Sequence, residues 1–598
     1  MSREIVENVL GRDMTREIWS GNYEKALPVS VQNFDLSAVL PAVFFMFRYG
    51  QRRGKGKFLD AFAGDQGTPL ERRRSATIAR VAEVLGQLDS IEGFRGEDGQ
   101  AILGDLLLCY CLENTGRALG RNEKIQRVAP AHYMASWVDL PEPVVHLRKV
   151  PEMVVAMLTN QDGEVVRQNQ EDDRTWFAVG RGFESNILLR AFSGGIRIRG
   201  ELASRTSDKF DEGVKVGIDQ LLMIRLAQQL GEAPDKVRGG EGGSISNQRP
   251  IAERAAHHFS EDIRRFVRAY ASVIPRQSFV NMQESCMAVG LTTILNSVIE
   301  LMLEWAEIGG IRKKHEQRPA PLFVDVSNGT DRRLRALSEQ CFDDFIRRVE
   351  RFPAVLMAAR LLDWSARYNR KLKEYAKKTK PYATDWLNLL GDILVERHGE
   401  SAAIMYDIEQ KTAVLAERLK DEAPEASELL ENSYAYPNPV WRLAEALTLL
   451  QKHLFLNDCV DSCLLINRPN GLAVKRRAPQ TDFVTGKKTR EIRSMVFTDA
   501  VLDYLVHLHL LRSGNHQEGL RVLSFKEFLY GIRERYGFYV DTTPSGMSVS
   551  NDLLQANRTI LERRLRDLGL LSGVNDAEAM KRLKPRFNPV KEDLYEAD

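Results

Sequence analysis

Apolar residues recur at three- and four-residue steps along most of this chain. In SATIARVAEVLGQL, Ile78, Val81, Val84 and Leu85 fall on one helical face. The segments DQLLMIRLAQQLG, DFIRRVERFPAVLMAARLLDWSARY, AAIMYDIEQKTAVLAERL and NPVWRLAEALTLLQKHLFL repeat that period. Strand candidates are few and short: TWFAVG, GGIRIRGEL, PLFVDV, GLAVKRR and GFYVD. The pattern predicts a mainly α, multi-domain protein with small β elements.

Punctuation divides the helical runs. The glycine- and serine-rich DKVRGGEGGSISNQRP predicts a flexible linker over 235–250. It lacks the order of a P-loop. Weaker breaks near KDEAPEASELLENSYAYPNP and LRSGNHQEG complete the expected division. This gives a mainly helical N-terminal domain with short strands (1–234), a central helical domain (251–420), a helical segment with a basic β-ribbon (421–515) and a C-terminal module (516–598).

The C-terminal module has the clearest local grammar. Ser524 and Glu527 have capping-box spacing, and Phe525, Phe528, Leu529 and Ile532 form an apolar stripe behind them. Gly537 predicts the helix end and FYVD a strand. A second helix follows, with Leu554, Asn557, Ile560, Leu561, Leu565 and Leu568 on one face and Arg558, Arg563, Arg564 and Arg566 off it. Helix, short strand, helix and short basic tail resemble a winged-helix module. Such a module would set a helix in the major groove and Arg563, Arg564 and Arg566 on phosphates. Helix pairs of this kind also dock proteins.

Length and charge narrow the classes. At 598 residues the chain exceeds a single core, and 84 basic against 82 acidic residues exclude a polycation, so a nucleic-acid site must be a local patch. The strongest patch read here is RPNGLAVKRRAPQTDFVTGKKTREIR, from Arg468 to Arg493. Its eight cations, including Lys475, Arg476, Arg477, Lys487, Lys488, Arg490 and Arg493, stand against Asp482 and Glu491. PNG and TGKK mark turns, which predicts an exposed ribbon, either laid along a phosphate backbone or solvated and paired with acidic neighbours elsewhere in the chain. Neutralising about six phosphates would give a log–log salt slope near −5. A third basic run, RYGQRRGKGKF, carries Arg48, Arg52, Arg53, Lys55 and Lys57.

Catalytic signals are thin. PLFVDVSNGTD resembles the D-x-S-x-S metal site of von Willebrand type A domains, but Gly329 stands where the second serine belongs. Asn328-Gly329 as a turn, with Thr330 or Asp331 as a helix cap, is the simpler reading. His258 and Asp262 are an i, i+4 pair that could hold a metal or orient a base. His507 and His509 alternate with leucines. Six sparse cysteines indicate a reducing compartment, and the Cys459/Cys463 pair lacks the further ligands of a zinc site. No metal or cofactor is expected. The chain opens without an apolar signal segment, and CMAVGLTTILNSVIELMLEW is interrupted by Asn296, Ser297 and Glu300, so a cytoplasmic protein with no membrane span is expected.

Three stretches, IPRQSFVNMQESCMAVGLTTIL, FVDVSNGTDRRLRALSEQ and ERRLRDLGLLSGVNDAEAMKRLKPRF, are similar to accessory proteins of bacterial anti-phage defence islands, of the methylation-associated or phosphorothioation-dependent type. The resemblance implies a DNA-linked role beside other subunits of a defence or DNA-processing complex. It transfers no catalytic residue. The expected function is a non-enzymatic nucleic-acid-binding subunit, DNA before RNA. A metal-dependent nuclease or phosphohydrolase using Asp325 and Asp331, or a protein scaffold, are the alternatives.

Overall fold

The computed structural model describes residues 2–19, 23–49, 57–62, 76–114, 124–140, 146–159, 176–178, 186–198, 208–211, 213–234, 244–246, 249–379, 381–451, 456–482, 486–512, 519–573 and 581–590. Helices dominate, and the sheets are small. All five segments read as strands carry one: Trp176–Ala178, Ile196–Ile198, Leu322–Asp325, Ala473–Asp482 and Phe538–Tyr539. The expected 235–250 linker contributes Ser244–Ser246, which pairs antiparallel with Trp176–Ala178; residues 235–243 and 247–248 lie outside the described residues.

Three long helices form the centre: α1 (Glu253–Tyr270), α2 (Arg276–Ile308) and α3 (Arg332–Tyr368). A short helix, α4 (Arg370–Thr379), follows α3 directly. Pro275 precedes α2, where a missing amide hydrogen costs nothing, and Gly309 ends it in the left-handed region at φ 73°. α2 is the one helix among the described residues long and apolar enough to cross a membrane, and 94% of its apolar window is buried inside the protein. Its apolar surface is consumed by protein packing.

α1 and α2 meet closely at Gly290. A Cβ there would stand 2.0 Å from Cδ2 of Phe259. Alanine normally gains about 1 kcal/mol over glycine inside a helix. Here the buried ring cannot yield that space, so Gly290→Ala is expected to destabilise by about 1–3 kcal/mol. Denaturant unfolding of the variant measures it, and a stability gain would contradict the packing.

The main sheet has the order β4–β1–β3–β2, formed by β1 (Leu322–Asp325), β2 (Ala473–Asp482), β3 (Gly486–Val496) and β4 (Phe538–Tyr539). β1 is buried at every position, as a central strand covered on both faces must be. It runs parallel to β4 (Phe538↔Leu322) and to β3 (Val324↔Met495), while β2 and β3 form an antiparallel hairpin. Only Met495 and Val496 of β3 pair with β1, so the rest of the hairpin extends past it as a ribbon. Segments 251–420, 421–515 and 516–598 therefore share one sheet.

Helices on both sides fasten this sheet with polar side chains. Ser338 of α3 accepts from the Met495 amide at 2.8 Å and has the Phe323 carbonyl at 3.0 Å. α5 (Asp499–Leu510) and α6 (Phe525–Tyr536) lie between β3 and β4, and α7 (Asn551–Asp567) follows β4. The capping box at Ser524 and Glu527 is formed, and Gly537 closes α6 at φ 75°. β4 joins the sheet through β1 instead of forming a wing of its own, and α7 packs on that sheet through buried Asn557. The first short strand thus finds its partner more than 200 residues back, while after α7 Leu571–Ser572 pairs antiparallel with Arg582–Leu583 and Arg582 bridges Ser524; these contacts do not establish a winged-helix module.

Candidate nucleic-acid interface

The ribbon places its cations against acids from elsewhere in the chain. Arg493 is buried and grips Asp461 with Nε at 2.6 Å and Nη2 at 2.9 Å. Lys475, cross-strand from Arg493, reaches Asp461 at 3.1 Å and Glu491 at 3.2 Å. Burial works to lower the Lys475 pKa, but Asp461 and Glu491 outweigh it, so the ammonium stays charged. Arg476 makes a bidentate pair with Glu339 of α3 at 2.6 and 2.8 Å, and Arg490 meets Asp343 of α3 at 2.9 Å. One ribbon face is thus laid on the acidic side of α3. Arg477 is exposed and has no ion pair among the described residues. Lys487 and Lys488 stand opposite Thr481 and Gln480 by register; their side chains lie outside the described residues.

The α7 arginines divide in two. Arg564 donates to the carbonyls of Val326 at 2.9 Å and Phe497 at 2.7 Å and pairs with Asp499 at 2.5 Å, so it stitches α7 to the ends of β1 and β3. Arg563 is 83% exposed, with Asp567 no nearer than 3.9 Å. Arg566 is half exposed, 3.8 Å from Glu562. Of the third basic run, Arg48 is fully buried on Asp208 and Lys57 pairs with Glu232; Arg52, Arg53 and Lys55 lie outside the described residues.

Asp325 is occupied by its own turn. Its Oδ1 accepts from the Ser327 amide at 2.8 Å and hydroxyl at 2.6 Å, and its Oδ2 from the Gly329 amide at 2.9 Å. Burial raises its pKa, and those bonds partly offset the rise. Asp331 caps α3, accepting from Arg333 and Leu334 amides. Both carboxylates serve the fold, and no metal-holding group of three or more His, Cys, Asp or Glu occurs among the described residues. His258 does not meet Asp262, which instead receives Arg535 Nε at 3.2 Å and the Tyr536 hydroxyl at 2.7 Å. His507 and His509 each turn Nδ1 to the carbonyl four residues back, those of Asp503 and Leu505. Cys459 and Cys463 are buried.

A further basic exposed surface lies at the end of α3 and along α4. Between Arg367 and Tyr382 seven cations stand against Glu374 alone. Asn369 caps α4, accepting from the Lys371 amide at 3.0 Å and the Leu372 amide at 3.2 Å. Leu372 is the only buried residue of α4, so the helix stands out from the body. Lys371 pairs with Glu400 at 2.5 Å and Arg370 with Glu374 at 3.2 Å. Lys373, Lys377 and Lys378 are exposed with no carboxylate partner among the described residues. Tyr368, at 74% exposure, and Tyr382, at 71%, flank the helix, with Tyr375 exposed between them. About 40 Å of α3 separates this end from the acids that hold the ribbon.

The architecture defines a mainly helical, multi-domain protein with surface cations. A family model, methylation-associated defense system protein MAD7, matches residues 22–587, and the chain belongs to that family. No curated protein and no solved structure matches it. Membership makes it a component of a methylation-associated defence system, alongside the system's other components.

Proposed function

We propose that this chain is a non-enzymatic subunit of its defence system, working in the cytoplasm and contacting nucleic acid, DNA first, with exposed cations. The observation that carries this reading is α4, where Lys373, Lys377 and Lys378 have no carboxylate partner among the described residues and stand beside exposed Tyr368, Tyr375 and Tyr382. Cations neutralise phosphates and tyrosine faces stack on bases, a combination suited to a single strand or an unpaired end. The ribbon adds a second contact through Arg477, Lys487 and Lys488, and α7 a third through Arg563 and Arg566. Lys475, Arg476, Arg490, Arg493 and Arg564 serve mainly to hold the fold together. Their pairing supports the second reading, a protein-docking subunit, with the ribbon fastened to α3 instead of offered to phosphate.

Fluorescence anisotropy with single- and double-stranded oligonucleotides at two salt concentrations separates the two. The joint change Lys373→Glu, Lys377→Glu and Lys378→Glu is expected to weaken binding at least tenfold and flatten its salt dependence. Arg477→Glu with Lys487→Glu and Lys488→Glu should do so more mildly. Absence of binding at low salt, or affinity indifferent to both sets, favours the docking reading.

A further inference from the structure

A cleft of about 250 Å³ opens where α1, α5 and α6 meet. Its polar wall is made by Arg254, Arg265, Arg521, Arg535, His258 and His509, with Asp262 and Glu534 the only carboxylates in the lining. Asp262 is already committed: it pairs with Arg535, which also reaches Glu261 at 2.7 Å, and it accepts from Tyr536. This buried set forms a nearly neutral floor.

The other three guanidiniums are held chiefly by backbone carbonyls, which orient a cation without neutralising it. Arg254 donates to the Gln317 carbonyl at 3.1 Å, Arg265 to that of Leu511 at 2.6 Å, and Arg521 to that of His509 at 2.7 Å. The nearest acid to Arg265 is Glu261, 3.7 Å away and shared with Arg535. Three buried polar atoms around the cleft, Arg265 Nε, His258 Nδ1 and His509 Nε2, have no hydrogen-bond partner among the described residues. Buried polar groups rarely go unbonded, so a cluster of them on one cleft marks a ligand position. Planar guanidinium forks suit the oxygens of a phosphate.

His509 narrows the choice. The ring is 7% exposed, and its Nδ1 lies 2.9 Å from the Leu505 carbonyl. That carbonyl can only accept, so Nδ1 bears the hydrogen and Nε2 offers a lone pair. Burial, reinforced by Arg535, Arg521 and Arg265, drives the imidazole pKa down to about 3, so the ring is neutral near pH 7. Gly531 leaves space beside the ring, since a Cβ there would stand 3.5 Å from Nε2. The cleft therefore combines cationic donors with one buried acceptor, and its ligand needs negative oxygens and a hydroxyl hydrogen.

We propose that this cleft binds a phosphate group accompanied by a hydroxyl, either hydrogen phosphate or the phosphate end of a nucleotide, held by Arg254, Arg265 and Arg521 and donating to His509 Nε2. At about 250 Å³ the space falls below that of drug-sized ligand pockets, which favours a small anion or one end of a larger one. The site shares no residue with the proposed nucleic-acid surfaces and does not depend on them.

Isothermal titration of the full chain with inorganic phosphate, sulfate and a nucleoside 5′-monophosphate tests this. Saturable phosphate binding at least tenfold tighter than sulfate is expected, because sulfate at neutral pH has no hydrogen to give His509. A nucleotide tighter than phosphate identifies the nucleotide end as the natural source; a nucleotide no tighter identifies the free ion. Arg254→Ala and Arg521→Ala should each weaken binding at least tenfold. The phosphate–sulfate comparison needs only the native chain, so it stands even if a variant misfolds. No saturable binding of phosphate or nucleotide, equal affinity for sulfate, or binding untouched by both substitutions overturns the proposal.

Discussion

Lowering the pH from 8 to 5 is expected to destabilise the protein steeply, because three buried histidines must stay neutral for it to fold. Burial pushes His132 down to about 3, His507 to about 4 and His509 to about 3. The lone pairs are in use at two of them. His132 Nδ1 accepts from the Met134 amide at 3.2 Å, and His507 Nε2 accepts from the Arg586 and Phe587 amides at 3.1 and 3.3 Å. In the unfolded chain each imidazole takes up a proton near its ordinary 6.5. Between there and pH 4 the unfolded state binds more protons, so the stabilisation present above 6.5 is lost as pH falls. Glu284 opposes this. Burial raises its pKa to about 7, so from 7 down to about 4.5 it is protonated in the fold and ionised outside it, and it stabilises as pH falls. His258, lowered to about 4 by burial and Arg535, joins the three; four groups against one leave a net three protons between about pH 4.5 and 6.5, or about 4 kcal/mol per pH unit. Thermal unfolding across pH 5–8 should show melting temperature falling by several degrees with acid. A flat or rising curve below pH 7 contradicts this account. The first local casualty should be the chain end, since protonating His507 removes the acceptor that holds residues 586 and 587.

Local chemistry was legible in the sequence, and distant partners were not. The capping box at Ser524, the left-handed stop at Gly537 and the Asp331 cap each depend on residues within a few positions of one another. Long amphipathic helices declare themselves by period in the same way. β4 offers two residues and no period, and its partner β1 lies in another part of the chain. Charge pairing across the chain is hidden for the same reason. Within its own segment the ribbon shows two acids, yet most of its pairing is with Glu339, Asp343 and Asp461, 14 to 147 residues away. An arginine 238 residues from Val326 cannot be read as a fold-holding group from its neighbours. α4 was different, since its excess of seven cations over one acid is plain in sixteen residues. Glycine- and turn-flanked runs are the more conspicuous in the sequence, and only exposure separates unpaired lysines from paired ones.

Replacing Asn557 with leucine is expected to loosen the joint between α7 and the sheet more than any other single uncharged substitution there. The side chain is completely buried. Its Nδ2 donates to the carbonyls of Val324 at 2.8 Å and Val540 at 2.9 Å, and its Oδ1 accepts from the Val326 amide at 3.1 Å. One amide therefore closes the ends of β1 and β4, where the ladder stops and the backbone has no further strand to bond. Leucine fills nearly the same volume, so packing survives and the loss is polar. A buried group stripped of its partner costs about 1–3 kcal/mol, and the Val326 amide, with a single hydrogen to place, bears most of it. With two weakened carbonyls added, about 3 kcal/mol or more is expected. Denaturant unfolding gives the total, and hydrogen exchange at Val326 gives the location: that amide should exchange much faster in Asn557→Leu, while amides in α2 are unchanged. A loss under about 1 kcal/mol with Val326 still protected would mean that the sheet end finds its bonds elsewhere. The same experiment bears on α7 as a nucleic-acid contact. If α7 is an independent reading helix, loosening this joint leaves oligonucleotide affinity intact; if Arg563 and Arg566 act from a surface held by the sheet, affinity falls together with Val326 protection.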